Sequence, residues 1–256
     1  LLMVTGSGQQ NRDEELFDHK PFAVIADALA RAGIATLRYD DRGFGDSSAK
    51  PMEWTTEDFK LDALAGLELL RGRFDKVGVL GHSEGGTIAM MIAAENKADF
   101  IVSLAGMAIS GAETLLWQNR VALKGLGFTD EQVAPYCKML ETAFDVRVNG
   151  GRMPNPDDYN IPQSLMQNYW AVVAQIQMPY MIHLLSLDAR SILGNVTCPV
   201  LALNGSKDNQ VDYESNLSAI RKGIPANSKN HIETIEGVNH LFQHCKTGQV
   251  SEYRTI

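Results

Sequence analysis

The sequence predicts an α/β fold, a mostly parallel doubly wound sheet with an inserted helical segment. Six short apolar runs bounded by turn residues recur along the 256 residues, and helical periodicity fills the gaps between the first four. The alternation then stops for roughly 90 residues before strands resume, which marks an insertion.

The apolar runs are Leu1 to Val4, Ile34 to Tyr39, Val77 to Leu80, Phe100 to Leu104, Val200 to Asn204 and Ile232 to Ile235. Continuous runs of this length suit strands buried on both faces of a parallel sheet. Between the first four lie helical patterns at Phe22 to Arg31, at Glu57 to Arg71 behind Thr55 and Thr56, and at Gly86 to Ala94. Strand alternating with helix implies βαβ units with helices on both faces.

From about residue 111 to 195 the pattern is helical. Helices are expected over Glu113 to Leu126, over Thr129 to Phe144 with Thr129 as N-cap, and over Gln163 to Leu187 with a break near Pro179. Residues 1–110 and 196–256 then form the sheet-bearing core, and 111–195 a helical cap. The insertion holds eight of the 19 aromatic residues and five of the ten methionines. Most of these are expected to pack cap helices together, and some to line a ligand site.

Composition excludes several classes of function. With 23 Lys+Arg against 31 Asp+Glu the formal net charge is −8, and no basic block occurs. Nucleic acid and anionic membranes are therefore not expected as partners. The stretch Ile161 to Leu187 has no charged residue, yet Gln163, Gln167, Asn168 and Gln175 interrupt it, which argues against a membrane span. Cys137, Cys198 and Cys245 are too scattered for a disulfide framework or a zinc site, so no metal is expected. Localisation and oligomeric state are not legible, since the chain opens directly on Leu1-Leu2-Met3-Val4 and any leader would precede it.

The chemistry-bearing motif is Gly81-His82-Ser83-Glu84-Gly85, directly after one predicted strand and directly before a helix. Five residues with three fixed positions often arise by chance; the strand-turn-helix context makes them a nucleophile elbow. There Ser83 stands on a tight turn, and the helix behind it supplies N–H groups and positive dipole where an oxyanion would form.

A serine hydroxyl needs a base, and the base needs an orienting group. The chain order for such a site is serine, acid, histidine. Of six histidines, His19 and His82 precede the nucleophile, His183 lies in the insertion and His231 starts the last strand. His240 follows that strand in a loop that can reach the elbow and is the candidate base, with His244 four residues on as a surface alternative. Asp208 follows the run Val200 to Asn204 at a strand's C-terminal edge and is the candidate acid. Asp212 is a rival whose other reading is a cap for a helix near Tyr213 to Lys222, and Asp188 is less well placed.

Oxyanion donors are expected from the backbone N–H of Glu84 and from the turn Thr5-Gly6-Ser7-Gly8-Gln9-Gln10, with Gln9 the best single choice. That turn is not a phosphate loop, because no Lys-Ser/Thr follows, and its spacing is not that of a dinucleotide fingerprint. Arg42 with Asp13, Glu14, Glu15 and Asp41 is expected to brace the loops beneath the site through ion pairs.

With these residues in view, the chain resembles the α/β-hydrolase superfamily, specifically esterases grouped with serine-aminopeptidase-like hydrolases. Gly6-Ser7-Gly8-Gln9-Gln10-Asn11-Arg12-Asp13-Glu14 is similar to that group's oxyanion loop, H-G-S-G-x-x-D-R-D-E, and Asp40-Asp41-Arg42-Gly43-Phe44-Gly45-Asp46-Ser47 to its D-x-R-G-x-G-x-S turn. Thr5 stands where the group has His, and Asn11 where it has Asp. The resemblance implies six of eight family strands in the order 4-3-5-6-7-8, with the first two strands and the last helix absent. It implies a serine hydrolase of carboxylic esters, often short-acyl ones, acting through Ser83, His240 and Asp208 on a small-molecule substrate without cofactor or metal. A peptidase using the same triad and a ligand-binding relative without turnover are the alternatives.

Overall fold

A computed structural model describes residues 1–48 and 54–256. Five strands form one parallel sheet in chain order: β1 (Leu2–Val4), β2 (Val79–His82), β3 (Ile101–Leu104), β4 (Val200–Gly205) and β5 (His231–Ile235). The register sets Leu2 beside Val79, Val79 beside Ile101, Ile101 beside Val200 and Leu201 beside His231.

The expected strand at Ile34 to Tyr39 is reduced to one parallel bridge between Leu37 and Leu2. Leu37 N–H donates to Leu1 O at 2.9 Å and Met3 N–H to Leu37 O at 3.0 Å. Among the described residues the segment pairs with β1 alone, on its outer side, and Ile34 and Ala35 are exposed. β5, at the other edge, is likewise exposed or half-buried along its length rather than buried on both faces.

This order sets the place of the site. The chain leaves β1 outward through α1 (Pro21–Arg31) to the Leu37 segment, then returns through α2 (Thr56–Arg71) to β2 and on to α3 (Glu84–Ala94). Connections after β1 and β2 diverge, and such a reversal opens a crevice at the strands' C-terminal ends.

Strand alternation sorts the core. Leu2, Val4, Val79, Ile101, Val200 and Ala202 face α2, α3 and α8 (Tyr213–Gly223). Met3, Leu80 and Leu104 face Phe22 and Ala26 of α1, which covers part of the other face beside an apolar hollow of about 600 Å³. In α2, Ala63, Leu67 and Leu70 recur at helical spacing on the buried side, and Asp58 accepts from Thr55 N–H at 2.9 Å to close its first turn. α3 is buried on nearly every side, as its continuous apolar run requires.

Between β3 and β4 lie α4 (Gly111–Gly125), α5 (Asp130–Asn149), α6 (Met166–Gln175) and α7 (Pro179–Ser186). Ser110 caps α4 by accepting from Glu113 N–H at 3.1 Å, and Thr129 N–H donates to Gln132 Oε1 at 2.9 Å before α5. Pro179 starts α7 and separates it from α6, at the expected break. Tyr136, Met139, Phe144, Leu165, Tyr169 and Ile176 form an apolar cluster of their own, so most of the aromatic and methionine enrichment is spent on packing.

Phe22 is 1% exposed and is the largest side chain joining α1 to the sheet. Phe22→Ala is expected to cost about 3–5 kcal/mol through lost burial and a residual cavity, read from urea denaturation; a loss below about 1 kcal/mol would mean that α1 contributes little to this face.

Candidate active site

β2 ends at His82 and α3 starts at Glu84, so Ser83 alone makes the turn, with φ 53° and ψ −119°. No L-residue adopts that conformation without strain. Close approach imposes it: a Cβ on Gly81 would lie 1.8 Å from Gly85 O, and one on Gly85 would lie 2.2 Å from Val4 O. Ser83 N–H donates to Leu104 O at 2.8 Å, which pins the turn to the end of β3.

His240 and Asp208 stand on the loops after β5 and β4. His240 Nδ1 lies 2.7 Å from Asp208 Oδ2, and both residues are buried. The other carboxylate oxygen, Oδ1, accepts from Gln210 N–H at 2.7 Å and Val211 N–H at 2.9 Å, which fixes the carboxylate's orientation. A carboxylate only accepts, so Nδ1 carries the imidazole proton and Nε2 is left with a lone pair. Asn239 braces the histidine loop, its Oδ1 accepting from Leu241 and Gln243 N–H at 3.0 Å each. Ser83 and His240 line one cavity of about 540 Å³.

The loop after β1 runs beside the serine, and an ideal Cβ on Gly6 would lie 3.2 Å from Ser83 Cβ. Gly6 N–H donates to Glu14 Oε1 at 2.7 Å and Gln10 N–H to Asp41 Oδ2 at 2.8 Å. Among the described contacts, the backbone N–H groups of Ser7 and Gln9 donate to no protein acceptor, while that of Gly8 faces the Tyr180 hydroxyl oxygen. Gln9 lines the cavity, and its side-chain amide donates to Arg42 O at 2.6 Å. The two departures from the family pattern are accommodated. Thr5 Oγ1 donates to Asp41 Oδ2 at 3.0 Å, and Asn11 Oδ1 accepts from Asp13 and Glu15 N–H at 3.1 Å each, a turn that aspartate would also make.

The expected ion-pair set is redistributed. Arg42 reaches forward to α2, bonding Asp62 through Nε at 2.6 Å and Nη2 at 2.7 Å, because its turn faces that helix. Asp13 pairs with Arg38, Glu15 with Lys20, and Asp41 serves the loop. Arg12 takes Asp40 instead and holds its carboxyl well below the usual carboxylate range. Asp212 caps α8, accepting from Ser215 N–H at 3.3 Å, and Asp188 pairs with Arg190. His19, His231 and His244 stand apart from the serine: His19 Nε2 meets Tyr253 O, His231 meets Glu233, and His244 is exposed.

Two arrangements were not legible in the sequence. His82 Nδ1 lies 2.9 Å from Glu14 Oε1 and its Nε2 lies 2.9 Å from His240 O. Burial pushes the His82 imidazole down, and the Glu14 carboxylate more than offsets it, leaving the group above the usual histidine value. Glu84, also buried, accepts from Thr56 Oγ1 at 2.6 Å and from the Tyr180 hydroxyl on α7. Burial and that carboxylate push the Tyr180 phenol above its ordinary range. The position of His82 beside the serine was a signal for the first; no spacing rule links Glu84 to a tyrosine 96 residues away. Among the described residues no group of three or more His, Cys, Asp or Glu is arranged to hold a metal ion.

A model of the alpha/beta hydrolase family matches residues 1–247. The esterase EstD of Thermotoga maritima is 30% identical over 245 residues, 94% of this chain; the chain spans about half, 54%, of that esterase. Among solved structures, a metagenome-derived lipolytic enzyme of the LipS and LipT work is 18% identical with TM-score 0.56, over 94% of this chain and 84% of that one. The proline iminopeptidase of Mycobacterium smegmatis is 18% identical with TM-score 0.57, over 94% and 82%. Identities this low speak to the fold alone.

Asp41 supplies a pH test. Burial pushes its carboxyl up to about 7, against the hydrogen bonds from Gln10 and Thr5 that pull it down. An unfolded chain releases that proton near about pH 4, so across this interval the folded state binds the extra proton. The stability linked to this group is full below about pH 4 and is lost as pH rises through about 7. Asp41→Asn is expected to flatten that fall in urea denaturation between about pH 4 and 8; an unchanged slope would assign it to other groups.

Proposed function

This chain is a member of the alpha/beta hydrolase family, and from that premise we propose that it hydrolyses carboxylic esters of small molecules through Ser83, His240 and Asp208. The observation that carries this reading is the buried His240–Asp208 pair, 2.7 Å apart, whose histidine lines the same cavity as a serine held in a strained turn. The esterase activity named for the Thermotoga relative is in keeping with it.

In this mechanism Ser83 Oγ attacks the acyl carbon while His240 Nε2 takes its proton, and the carbonyl electrons move to oxygen. The N–H groups of Glu84 and Gln9 receive the oxyanion, Glu84 by its place at the start of α3. Collapse of the intermediate expels the alcohol, which takes the proton from His240 and leaves an acyl-serine. Water then attacks, gives its proton to His240, and the acid departs as Ser83 regains its hydrogen. Asp208 keeps Nδ1 protonated and steadies the imidazolium in both steps. No metal or cofactor enters this scheme.

Residues 111–195 act as a cap over a core of 1–110 and 196–256. Leu115, Tyr180, Met181 and Leu184 from that segment line the cavity, and we assign the acyl group to this apolar wall. Short acyl chains are the expected substrates, on the strength of the resemblance to short-acyl esterases. Glu14 and Glu15 also line the cavity, and a peptidase would use such a carboxylate to hold a substrate ammonium, so matched ester and anilide rates separate the two readings.

Ser83→Ala is expected to lower p-nitrophenyl ester turnover by about 10³-fold or more and to abolish labelling by a fluorophosphonate; near-wild-type turnover would overturn the nucleophile assignment. Over an acyl series from acetyl to dodecanoyl, kcat/KM should fall beyond short chains, and matched aminoacyl anilides should react more slowly than esters. Faster anilide cleavage would make the chain a peptidase.

A further inference from the structure

The strongest feature that the proposed mechanism leaves unused is Glu14 with His82. Both are buried, on different segments, and they join three parts of the site. Gly6 N–H of the oxyanion loop donates to Glu14 Oε1 at 2.7 Å; the same oxygen faces His82 Nδ1 at 2.9 Å; His82 Nε2 faces the backbone oxygen of His240 at 2.9 Å. The rings of His82 and His240 are 4.5 Å apart, tilted by 50°. His82 is also the chain neighbour of the nucleophile.

We propose that Glu14 and His82 are a positioning pair for the esterase site, in which a His82 ring protonated on both nitrogens ties the oxyanion loop to the loop of the base. This rests on the function proposed above. The argument is one of donors and acceptors. A carboxylate oxygen and a peptide oxygen only accept, so a ring between them satisfies both contacts by donating from each nitrogen. Oε1 already accepts from Gly6 N–H, which matches its role as acceptor toward Nδ1 as well. The pair thus has one geometry, and through it the oxyanion donors, the base and the nucleophile share a single support.

A stability role alone accounts poorly for it. Taking a carboxylate and an imidazolium out of water costs much of what their attraction returns, and an apolar pair of equal volume often serves stability as well or better. Glu14 adds to that cost, because its Oε2 is buried with no hydrogen-bond partner among the described residues. What an apolar pair cannot do is fix two loops in register by directed bonds. Neither residue is assigned a bond to substrate; both act through Gly6 and His240.

The test uses Glu14→Gln, His82→Asn and the double variant, each normalised to sites titrated with a fluorophosphonate. Ester kcat is expected to fall by about 10²-fold, the scale of a misplacement near 1 Å, with KM within about threefold. The double variant should be no worse than either single change, because the two act as a unit. Wild-type kcat per titrated site in both single variants would overturn the proposal. So would fully additive losses. If the variants do not fold, ring ¹⁵N spectra of the histidine-labelled wild type decide: one buried histidine should carry protons on both nitrogens through neutral pH, and its absence would overturn the pair. A wild type that neither labels nor turns over ester would instead refute the hydrolase reading, and the ring spectra would still report on the pair.

Discussion

The turn between β2 and α3 is where this chain packs backbone against backbone, and the arrangement around it follows from that contact. Gly85 lies against the carbonyl ends of Val4 and Thr5 at the close of β1, and Gly81 against Gly85 itself. No side chain fits in either place, so α3 starts directly above the sheet and Ser83 takes the strained conformation between them. Strain of this kind costs about 1–3 kcal/mol. It is offset locally, because α3 carries Ile88, Met90 and Ile92 into the main core almost without exposure. The bond from Ser83 N–H to Leu104 O adds β3 to the support. Three adjacent strands therefore hold one serine.

The reversal of strand order acts on the same spot. Because the chain goes outward from β1 and inward to β2, the glycine-rich loop and the elbow leave neighbouring strands and part, with room for a cavity between. The loops after β4 and β5 reach the same edge from the other side, bringing Asp208 and His240. That is why a carboxylate and an imidazole separated by 32 residues meet at 2.7 Å, and why neither requires a long excursion of the backbone.

Much of this was legible in the sequence because it depends on local signals. Period and turn residues placed β1 to β5 to within a few residues, Thr129 and Pro179 placed helix starts, and the position of Asp208 just after a strand separated it from Asp212, which caps α8. The limits were equally physical. The run Ile34 to Tyr39 has the composition of a strand, but pairing depends on neighbours, and with pairing on one side only it forms a single bridge. Arg42 was read with the acids of its own turn and of the glycine-rich loop, Asp41, Asp13, Glu14 and Glu15, whereas a long guanidinium selects the carboxylates in front of it, here Asp58 and Asp62 on α2. Tyr180 was one of several aromatics in the inserted helices; only packing separates it, lining the cavity, from Tyr136 and Tyr169, buried in the helices' own cluster.

Of the five buried carboxyl groups among the described residues, Arg12 holds Asp40, and the other four are each committed to a different partner: Asp208 to His240, Glu14 to His82 and Gly6, Asp41 to Thr5 and Gln10, and Glu84 to Thr56 and Tyr180. A buried charge without a partner is expensive, so these commitments limit how the loops can rearrange. Glu84 divides its two ends. Its backbone belongs to the elbow, while its side chain bridges α2 and α7. A shift of α7 away from the cavity must break the bond from Tyr180 and leave Glu84 with Thr56 alone, so displacing this helix carries an electrostatic cost at the residue next to Ser83. The inserted helices are thereby coupled to the elbow by a polar contact as well as by apolar packing, and the position of Tyr180 follows the position of the turn.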